Sequence, residues 1–300
     1  MSVISVRGLR MSYGEVEAVR GIDLDVRRGE IFAFVGPNGA GKTTTVEILE
    51  GYRARSGGDV EVLGVDPAAP TRAWRARIGV VLQTCQLTGE LTVRELLSRY
   101  RGYYPAPRSV QETIALVGLQ DKRDTRAGRL SGGQQRRLDV ALALIGDPEL
   151  VFLDEPTTGF DPGARRQFWG VIAGLRDLDK TVFLTTHYMD EAQALADRVA
   201  IIASGRIVAQ DTPARLGGRD HAGCEIHFRL PERLADSNLP PLDDAETTVD
   251  GVEVRVRTAA EQVTLWTLLG WSRARGLDLA GLEVTRPTLE DIYLDLVGRP

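Results

Sequence analysis

Short runs of aliphatic and β-branched residues alternate along the chain with stretches whose apolar residues recur at helical spacing. Three runs, "EIFAFVG", "ELVFLDE" and "KTVFLTTH", are apolar until they end in glycine or a polar cluster. This pattern is typical of strands that are buried on both faces of a parallel sheet. After the second run, Asp161 as an N-cap and Pro162 at the first helical position predict the start of a helix. Apolar residues at helical spacing predict its buried face: Phe168, Val171, Ile172 and Leu175. The alternation predicts an α/β fold.

The stretch from about 84 to 146 has a helical pattern, and Thr92 with Glu95 forms a capping-box signal at the start of one helix. A composition break follows near residue 217, and strand-like and helix-like segments come after it. We therefore predict one domain over residues 1–216, with a helical subdomain at about 84–146, and a small α+β domain over 217–300.

Composition limits the class of protein. The chain has 300 residues, 37 Lys and Arg, 42 Asp and Glu, and a formal net charge of −5, which argues against a general polyanion-binding surface. Cys85 and Cys224 lie too far apart for a disulfide framework or a metal-ligand spacing. The N-terminus lacks the apolar core of a signal peptide, and no apolar run is long enough to span a membrane. We expect a soluble, cytoplasmic protein.

The segment "GPNGAGKT" at 36–43 fits the phosphate-loop pattern G-x-x-x-x-G-K-[ST], after a predicted strand and before a helix. Its glycines let backbone N–H groups turn toward phosphate oxygens at a helix N-terminus. We expect Lys42 to reach the β- and γ-phosphates and Thr43 to bind Mg²⁺. The predicted nucleotide-binding residues here are Gly36, Pro37, Asn38, Gly39, Ala40, Gly41, Lys42, Thr43 and Thr44.

The run "LVFLDE" delivers two carboxylates to the end of a predicted strand. In open α/β sheets this is the edge where ligands bind. We expect Asp154 to hold Mg²⁺, directly or through water, and Glu155 to polarise an attacking water.

A second glycine-containing polar segment is "LSGGQ", where Ser131 precedes a helical pattern. The order of the three motifs resembles that of the nucleotide-binding subunit of an ATP-binding cassette (ABC) transporter, with "GPNGAGKTT" as Walker A, "LVFLDE" as Walker B and "LSGGQ" as the signature. The resemblance covers residues 1 to about 215. It implies a P-loop ATPase in which two domains face each other head to tail. The signature of one domain then contacts ATP held by the other, through Ser131, Gly132, Gly133 and Gln134.

Four more positions match the family. Tyr13 resembles its adenine-stacking aromatic residue, and Gln83 resembles the glutamine that contacts Mg²⁺ and the attacking water beside the membrane subunit. His187 resembles the histidine that senses the γ-phosphate, and Asp161 resembles the aspartate that couples the two sites. Phe160 departs from the family, which more often has leucine there.

The resemblance implies an ATPase that uses ATP and Mg²⁺, pairs with a second ATPase subunit and drives a separate polytopic membrane subunit from the cytoplasmic face of the membrane. Intact motifs in one chain favour a homodimer. The tail "RPTLEDIYLDL" at 286–296 resembles that of drug-resistance exporter ATPases, and is also an amphipathic helix whose inward residues would be Leu289, Ile292, Tyr293 and Leu296.

Three other functions remain open. The chain could serve an importer. A ribosome-acting ABC protein would normally carry two cassettes in tandem, whereas this chain has one Walker A motif. A DNA-repair ATPase would insert a long coiled coil, which the sequence lacks. The arginine- and tyrosine-rich segment "RYRGYYPAPR" at 99–108 has a composition found in nucleic-acid binders, but we interpret it as a docking face or a solvated turn and expect no nucleic acid partner.

Overall fold

Two compact units make up the chain, one ending at Pro213 and the other beginning at Ala214. The larger unit carries two sheets and the smaller unit carries one. Among the described residues, no helix is long and apolar enough to cross a membrane. The computed structural model describes residues 2–82, 89–218, 223–231, 239–243 and 245–298.

The central sheet of the larger unit has six strands in the order β5-β6-β7-β3-β8-β9. The first five are mutually parallel, and β9 returns antiparallel to β8 through a hairpin. All three strands predicted from the apolar runs are present. The bounds are β3 Ile31–Val35, β5 Ile78–Val81, β6 Leu150–Asp154, β7 Thr181–Thr186, β8 Arg198–Ala203 and β9 Arg206–Asp211.

The register of these strands brings three motifs to one edge of the sheet. Val35, the last residue of β3, pairs with Thr186 on β7, while Asp154 on β6 pairs with Thr185. The phosphate loop follows β3, Glu155 follows β6, and His187 follows β7. Parallel pairing therefore brings the phosphate loop together with two segments that follow it by more than 100 residues in sequence.

A second, antiparallel sheet packs on one face of the central sheet and was not predicted. Its order is β2-β1-β4, and its buried residues share a cluster with alternate residues of β3, such as Phe32 and Phe34. Tyr13 is the last residue of β1. The bounds are β1 Ser2–Tyr13, β2 Val16–Arg27 and β4 Gly57–Val62.

Most helices cover the other face, whereas the first two described, Lys42–Leu49 and Arg72–Arg75, have buried residues in the cluster of the antiparallel sheet. Between β5 and β6 the described residues form three α-helices, within the stretch predicted as a helical subdomain, and Thr92 and Glu95 make the predicted capping box. Residue 84, where that prediction began, lies outside the described residues. The predicted stripe on α6 is confirmed, with Phe168 and Ile172 fully buried. The helices are α1 Lys42–Leu49, α2 Arg72–Arg75, α3 Val93–Arg101, α4 Val110–Leu116, α5 Gly132–Leu144, α6 Pro162–Gly174 and α7 Met189–Leu195.

The smaller unit is an antiparallel sheet of order β11-β12-β10-β13 with two helices. Its core lies between the sheet and the inward residues of α8, including Leu265 and Leu268. The bounds are β10 Cys224–Arg229, β11 Ala245–Asp250, β12 Glu253–Thr258, α8 Glu261–Ala274, β13 Ala280–Thr285 and α9 Leu289–Val297.

Helix α9 buries less of its apolar face than predicted. Leu289 and Ile292 are buried, but Leu296 is 39% exposed, so its prediction as an inward residue was wrong. The helix contacts a short turn at Leu216–Gly218, where a Cβ on Gly217 would lie 2.5 Å from Ile292 Cγ2. The same Cβ would lie 3.7 Å from Leu296 Cδ1, so the turn touches Leu296 without burying it.

Candidate active site

Two glycines of the phosphate loop are required by close backbone approaches. A Cβ on Gly36 would lie 2.3 Å from the carbonyl oxygen of Ile202, and one on Gly41 would lie 2.6 Å from that of Ala18. Gly41 also has φ of 104°, a conformation that other residues rarely adopt. The loop is therefore clamped between β8 and β2 and leads directly into α1. Of its other predicted residues, Pro37 is partly buried, Asn38 and Gly39 are exposed, and Ala40 is buried.

Lys42, the first residue of α1, turns its side chain back into the loop. Its Nζ donates hydrogen bonds to the carbonyl oxygens of Gly36, at 2.8 Å, and Pro37, at 3.1 Å, and lies 3.6 Å from Glu155 Oε1. Burial lowers the pKa of Lys42, and the nearby Glu155 charge opposes that shift. A cation is thus held inside the loop that is predicted to bind phosphate.

Tyr13 stands beside the start of α1 with a partly exposed ring. It is 42% exposed, its hydroxyl lies 3.3 Å from Thr44 Oγ1, and the Arg53 guanidinium lies 5.2 Å from its ring centroid. An aromatic ring next to a phosphate loop suits adenine stacking. That role stays a prediction.

Asp154 and Thr43 are two of the residues predicted to hold Mg²⁺. Thr185 Oγ1 donates a hydrogen bond to Asp154 Oδ1, and burial raises the pKa of Asp154 while this bond and Lys42 oppose the shift. The described part of the chain offers no cluster of three metal-ligating His, Cys, Asp or Glu side chains. Mg²⁺ characteristically takes one or two carboxylates and completes its shell with phosphate oxygens and water. One buried carboxylate and the exposed hydroxyl of Thr43 fit that donor set.

Glu155 is held in a strained backbone conformation. Its φ is 44°, and its N–H donates to Thr185 through both the carbonyl oxygen, at 3.1 Å, and Oγ1, at 3.0 Å. Its Oε2 accepts a hydrogen bond from Thr158 Oγ1 at 3.2 Å and lies 3.3 Å from His187 Nδ1. The carboxylate is therefore fixed between Lys42 and His187, which brings together three of the predicted residues.

The signature motif forms the start of α5. Ser131 Oγ accepts a hydrogen bond from the Gln134 N–H, and Gln134 Oε1 accepts one from the Ser131 N–H. Ser131 and Gly132 are exposed, and a Cβ on Gly133 would lie 3.9 Å from Phe160 Cζ. Because the first N–H groups of a helix have no intrahelical partner, this turn presents unpaired donors and positive potential to solvent.

The remaining predicted residues have different outcomes. Asp161 Oδ1 caps α6 by accepting hydrogen bonds from the N–H groups of Gly163 and Ala164, both at 2.9 Å. The predicted cap is confirmed, while its role in coupling two sites stays a prediction. Gln83 lies outside the described residues.

A family model described as ABC transporter matches residues 19–158, and a model of a C-terminal domain described as ABC transporter domain-containing protein-like matches 224–288. Nod factor export ATP-binding protein I of Rhizobium sp. (strain N33) is 38% identical, over 99% of this chain and 97% of that protein. The chain belongs to the ABC transporter family.

Other similar proteins agree with this membership. The daunorubicin/doxorubicin resistance ATP-binding protein of Streptomyces peucetius is 35% identical over 99% of this chain and 93% of that protein. A crystal structure of an ATP-binding cassette of an ABC transporter in its ADP conformation covers 71% of this chain and 91% of that one. Its TM-score is 0.63 at 24% identity, which shows the shared fold. The predicted ABC-type P-loop fold is confirmed.

Arg136 is a residue of this ATP-binding subunit that sequence reasoning missed. Its buried guanidinium donates to the carbonyl oxygens of Pro156, at 3.0 Å, and Asp154, at 2.9 Å, and also to that of Leu82. Arg136 thus ties the signature helix to the end of β6 and to the residue just before Gln83. The doubled arginine after "LSGGQ" was visible in the sequence, but its partners are backbone carbonyls that no motif marks.

Glu50, at the end of α1, was also missed. Its Oε1 is buried and has no hydrogen-bond partner in the described structure. Burial, with the Asp154 and Glu47 charges adding to it, raises the pKa of Glu50 to about 8. The Glu50 carboxyl group interacts electrostatically with Asp154, and Glu50 also lines a surface cleft of about 810 Å³.

Replacing Arg136 with lysine tests its positioning role. A lysine keeps the charge but lacks the planar fork that reaches several carbonyls at once. We expect Arg136→Lys to lower kcat for ATP hydrolysis by about 10-fold or more while changing the nucleotide Kd little. The neighbouring Arg137→Lys, which loses only a hydrogen bond to Gln167, serves as the control. Equal turnover in the two variants would contradict the role.

The pKa of Glu50 predicts a pH dependence of stability. Because its folded pKa, about 8, exceeds its ordinary value of 4.5, Glu50 favours folding at low pH, and this contribution is lost as pH rises from about 4.5 through 8. We expect the melting temperature of Glu50→Gln to exceed that of the wild type by an amount that grows with pH and levels off above about 8, reaching about 5 °C or more by calorimetry. Glu61→Gln, at an exposed position of β4, is the control. Parallel pH profiles for wild type and Glu50→Gln would rule the assignment out.

Proposed function

We propose that the chain is the ATP-hydrolysing subunit of an ABC exporter, that it works as a homodimer, and that it drives a separate polytopic membrane subunit from the cytoplasmic face of the membrane. The observation that carries the dimer is the exposed N-terminus of α5. Ser131, Gly132 and Gly133 form a second candidate anion-binding turn, at the start of a different helix from the phosphate loop. A second copy, placed head to tail, gives this turn a γ-phosphate to bind.

The chain's own residues perform the hydrolysis by positioning and electrostatics. The phosphate loop and Lys42 hold the β- and γ-phosphates, and Tyr13 stacks on the adenine. Glu155 polarises a water for in-line attack, and His187, 3.3 Å from its carboxylate, keeps that carboxylate oriented and senses the γ-phosphate. Thr43, Asp154 and Gln83 would hold Mg²⁺, which would supply positive charge next to the phosphates.

The second half of each site comes from the partner copy. Ser131, Gly132 and Gly133 donate to the γ-phosphate from the opposite side, and Asp161 couples the two sites. Because the donors must converge from two chains, a monomer should hydrolyse ATP very slowly. Product release would then reopen the pair.

Two lines of support favour export. The similar proteins named above are described as acting in Nod factor export and in daunorubicin/doxorubicin resistance. The tail at 286–296 carries the exporter-like segment, which leads into α9 and forms all of that helix except Val297. We infer that the cargo is a drug, a lipid or another hydrophobic compound, chosen mostly by the membrane subunit.

The membrane subunit contacts the cleft that Glu50 lines. The cleft opens next to Leu82, which is 53% exposed and immediately precedes Gln83, and Tyr52 on its rim is 80% exposed. Exposed apolar side chains around a concave surface are typical of protein–protein contacts. Motion of the Gln83 segment would carry the state of the nucleotide site to the partner.

Glu155→Gln tests the proposed reaction. The amide cannot act as a base, so we expect hydrolysis to fall by about 100-fold or more while ATP still binds. The variant should accumulate as a dimer in ATP and Mg²⁺, measured by sedimentation velocity against the 32.8 kDa monomer. Adding Ser131→Arg to the same chain should keep it monomeric. Wild-type turnover in Glu155→Gln would remove Glu155 from its role.

Co-purification tests the membrane partner. We expect tagged Glu155→Gln, extracted from its native cell in mild detergent with ATP and Mg²⁺, to recover one polytopic membrane protein in stoichiometric amount. A chain that also carries Lys42→Ala should recover less of it, because the closed dimer does not form. Recovery with ribosomes or DNA and no membrane protein would overturn the transport function.

A further inference from the structure

Three side chains, His187, Tyr188 and Arg165, form a stack beside Glu155. The ring centroids of His187 and Tyr188 lie 4.1 Å apart, with an angle of 41° between the ring planes. The Arg165 guanidinium lies 4.3 Å from the Tyr188 ring centroid, within the range of a cation–π contact. Because His187 Nδ1 also lies 3.3 Å from Glu155 Oε2, the imidazole contacts both the carboxylate and the tyrosine ring.

Arg165 connects this stack to α6. It lies in the first half of that helix, and its side chain is only 16% exposed. Its Nη1 lies 3.3 Å from Oδ2 of Asp190, a residue in the first turn of α7. A planar guanidinium can pair with a carboxylate and stack on an aromatic ring at the same time. Arg165 therefore holds the start of α7 and the ring of Tyr188 against α6.

A buried glutamate joins the same two helices separately from the stack. Glu191 on α7 is fully buried, and its Oε1 accepts hydrogen bonds from Trp169 Nε1 on α6, at 3.0 Å, and from Thr157 Oγ1, at 2.8 Å. Trp169 follows Arg165 by four residues, so both lie on one face of α6. Because Glu191 fixes α7 against α6, we expect α7 to keep its place when the stack is removed.

We propose that Tyr188 and Arg165 are positioning residues that hold the His187 imidazole next to Glu155 and the γ-phosphate. The proposal rests on the role of His187 in the proposed function and adds that α6 controls this role. The His187 side chain is 36% exposed, so without a ring against it the imidazole would occupy several rotamers.

The same contacts give the partner copy a route to His187. The Arg165 N–H donates a hydrogen bond, at 3.0 Å, to the carbonyl oxygen of Asp161, the residue that caps α6. Asp161 is also the residue proposed to couple the two sites of the dimer. A displacement of α6 that begins at Asp161 would therefore reach the imidazole through Arg165 and Tyr188.

Steady-state ATP hydrolysis by the full chain tests the positioning. Tyr188→Leu keeps an apolar side chain but has no ring to stack, so we expect kcat to fall about 10-fold or more while the KM for ATP changes little. Tyr188→Phe keeps the ring and should restore most of the turnover. Arg165→Gln should lower kcat about 3-fold or more, whereas Arg166→Gln, at the exposed next position, serves as the control. Wild-type kcat in Arg165→Gln, or an equal loss in Tyr188→Leu and Tyr188→Phe, would overturn the proposal.

A double-mutant cycle tests whether Tyr188 acts through His187. A residue that only positions the imidazole has little further effect once the imidazole is gone. We therefore expect Tyr188→Leu to lower kcat by about 2-fold or less in a His187→Ala chain, against about 10-fold or more in the wild-type chain. Equal losses in the two backgrounds would show that Tyr188 acts elsewhere and would overturn the proposal.

The NMR signal of the imidazole gives a readout that does not depend on hydrolysis. The chain has three histidines, and the loss of one signal in His187→Asn assigns that of His187. Without nucleotide, Arg165→Gln should shift the His187 signal, and the shift should shrink in a Tyr188→Leu background. Arg166→Gln should leave the signal in place. An unshifted His187 signal in Arg165→Gln would overturn the proposal.

The single variant His187→Ala separates this proposal from the proposed function. If His187→Ala hydrolyses ATP at the wild-type rate, the role of His187 in the proposed function fails, whereas the NMR signal still decides whether Arg165 and Tyr188 position the imidazole. If His187→Ala is slow while Tyr188→Leu and Arg165→Gln turn over at the wild-type rate, only the positioning proposal fails.

Discussion

The alignment of three parallel strands is the constraint on which the site depends. Strands β3, β6 and β7 end at the same edge of the central sheet. Their pairing alone therefore brings together the phosphate loop, the carboxylates of Asp154 and Glu155, and His187. Thr185 on β7 links them directly, since its side chain donates to Asp154 and its backbone and hydroxyl oxygens both accept from the Glu155 N–H. A shift of register between β6 and β7 would separate the carboxylates from Lys42.

Arg136 extends this constraint to the helical subdomain. Its guanidinium binds carbonyl oxygens at the end of β6 and at Leu82, so the signature helix cannot move independently of the strand that carries Asp154. The same bonds reach the residue before Gln83, next to the cleft proposed for the membrane subunit. Arg136 therefore connects three regions: the candidate active site, the signature turn proposed to face a second copy, and the cleft proposed for the membrane subunit.

Sequence predicted the parts of the fold whose physics is local. Strands β3, β6 and β7 are buried on both faces, so each is a mainly apolar run. The start of α6 could be predicted from two adjacent residues, Asp161 and Pro162. The antiparallel sheet escaped prediction because its strands mix polar residues with apolar ones at irregular burial, as in β1. Arg136 and Glu50 escaped because their roles depend on distant backbone carbonyls and on burial. The exposed end of α9 shows that amphipathic spacing identifies the apolar face of a helix but does not predict how much of that face is buried.

The central claim is that the signature of one copy meets the phosphate loop of another. Two chains should be mixed, one with Asn38→Cys and one with Ser131→Cys, both carrying Glu155→Gln, Cys85→Ser and Cys224→Ala. We predict a disulfide between the two different chains that forms in ATP and Mg²⁺ and not without nucleotide. A cross-link that forms regardless of ATP, or no cross-link between chains in its presence, would contradict the composite site.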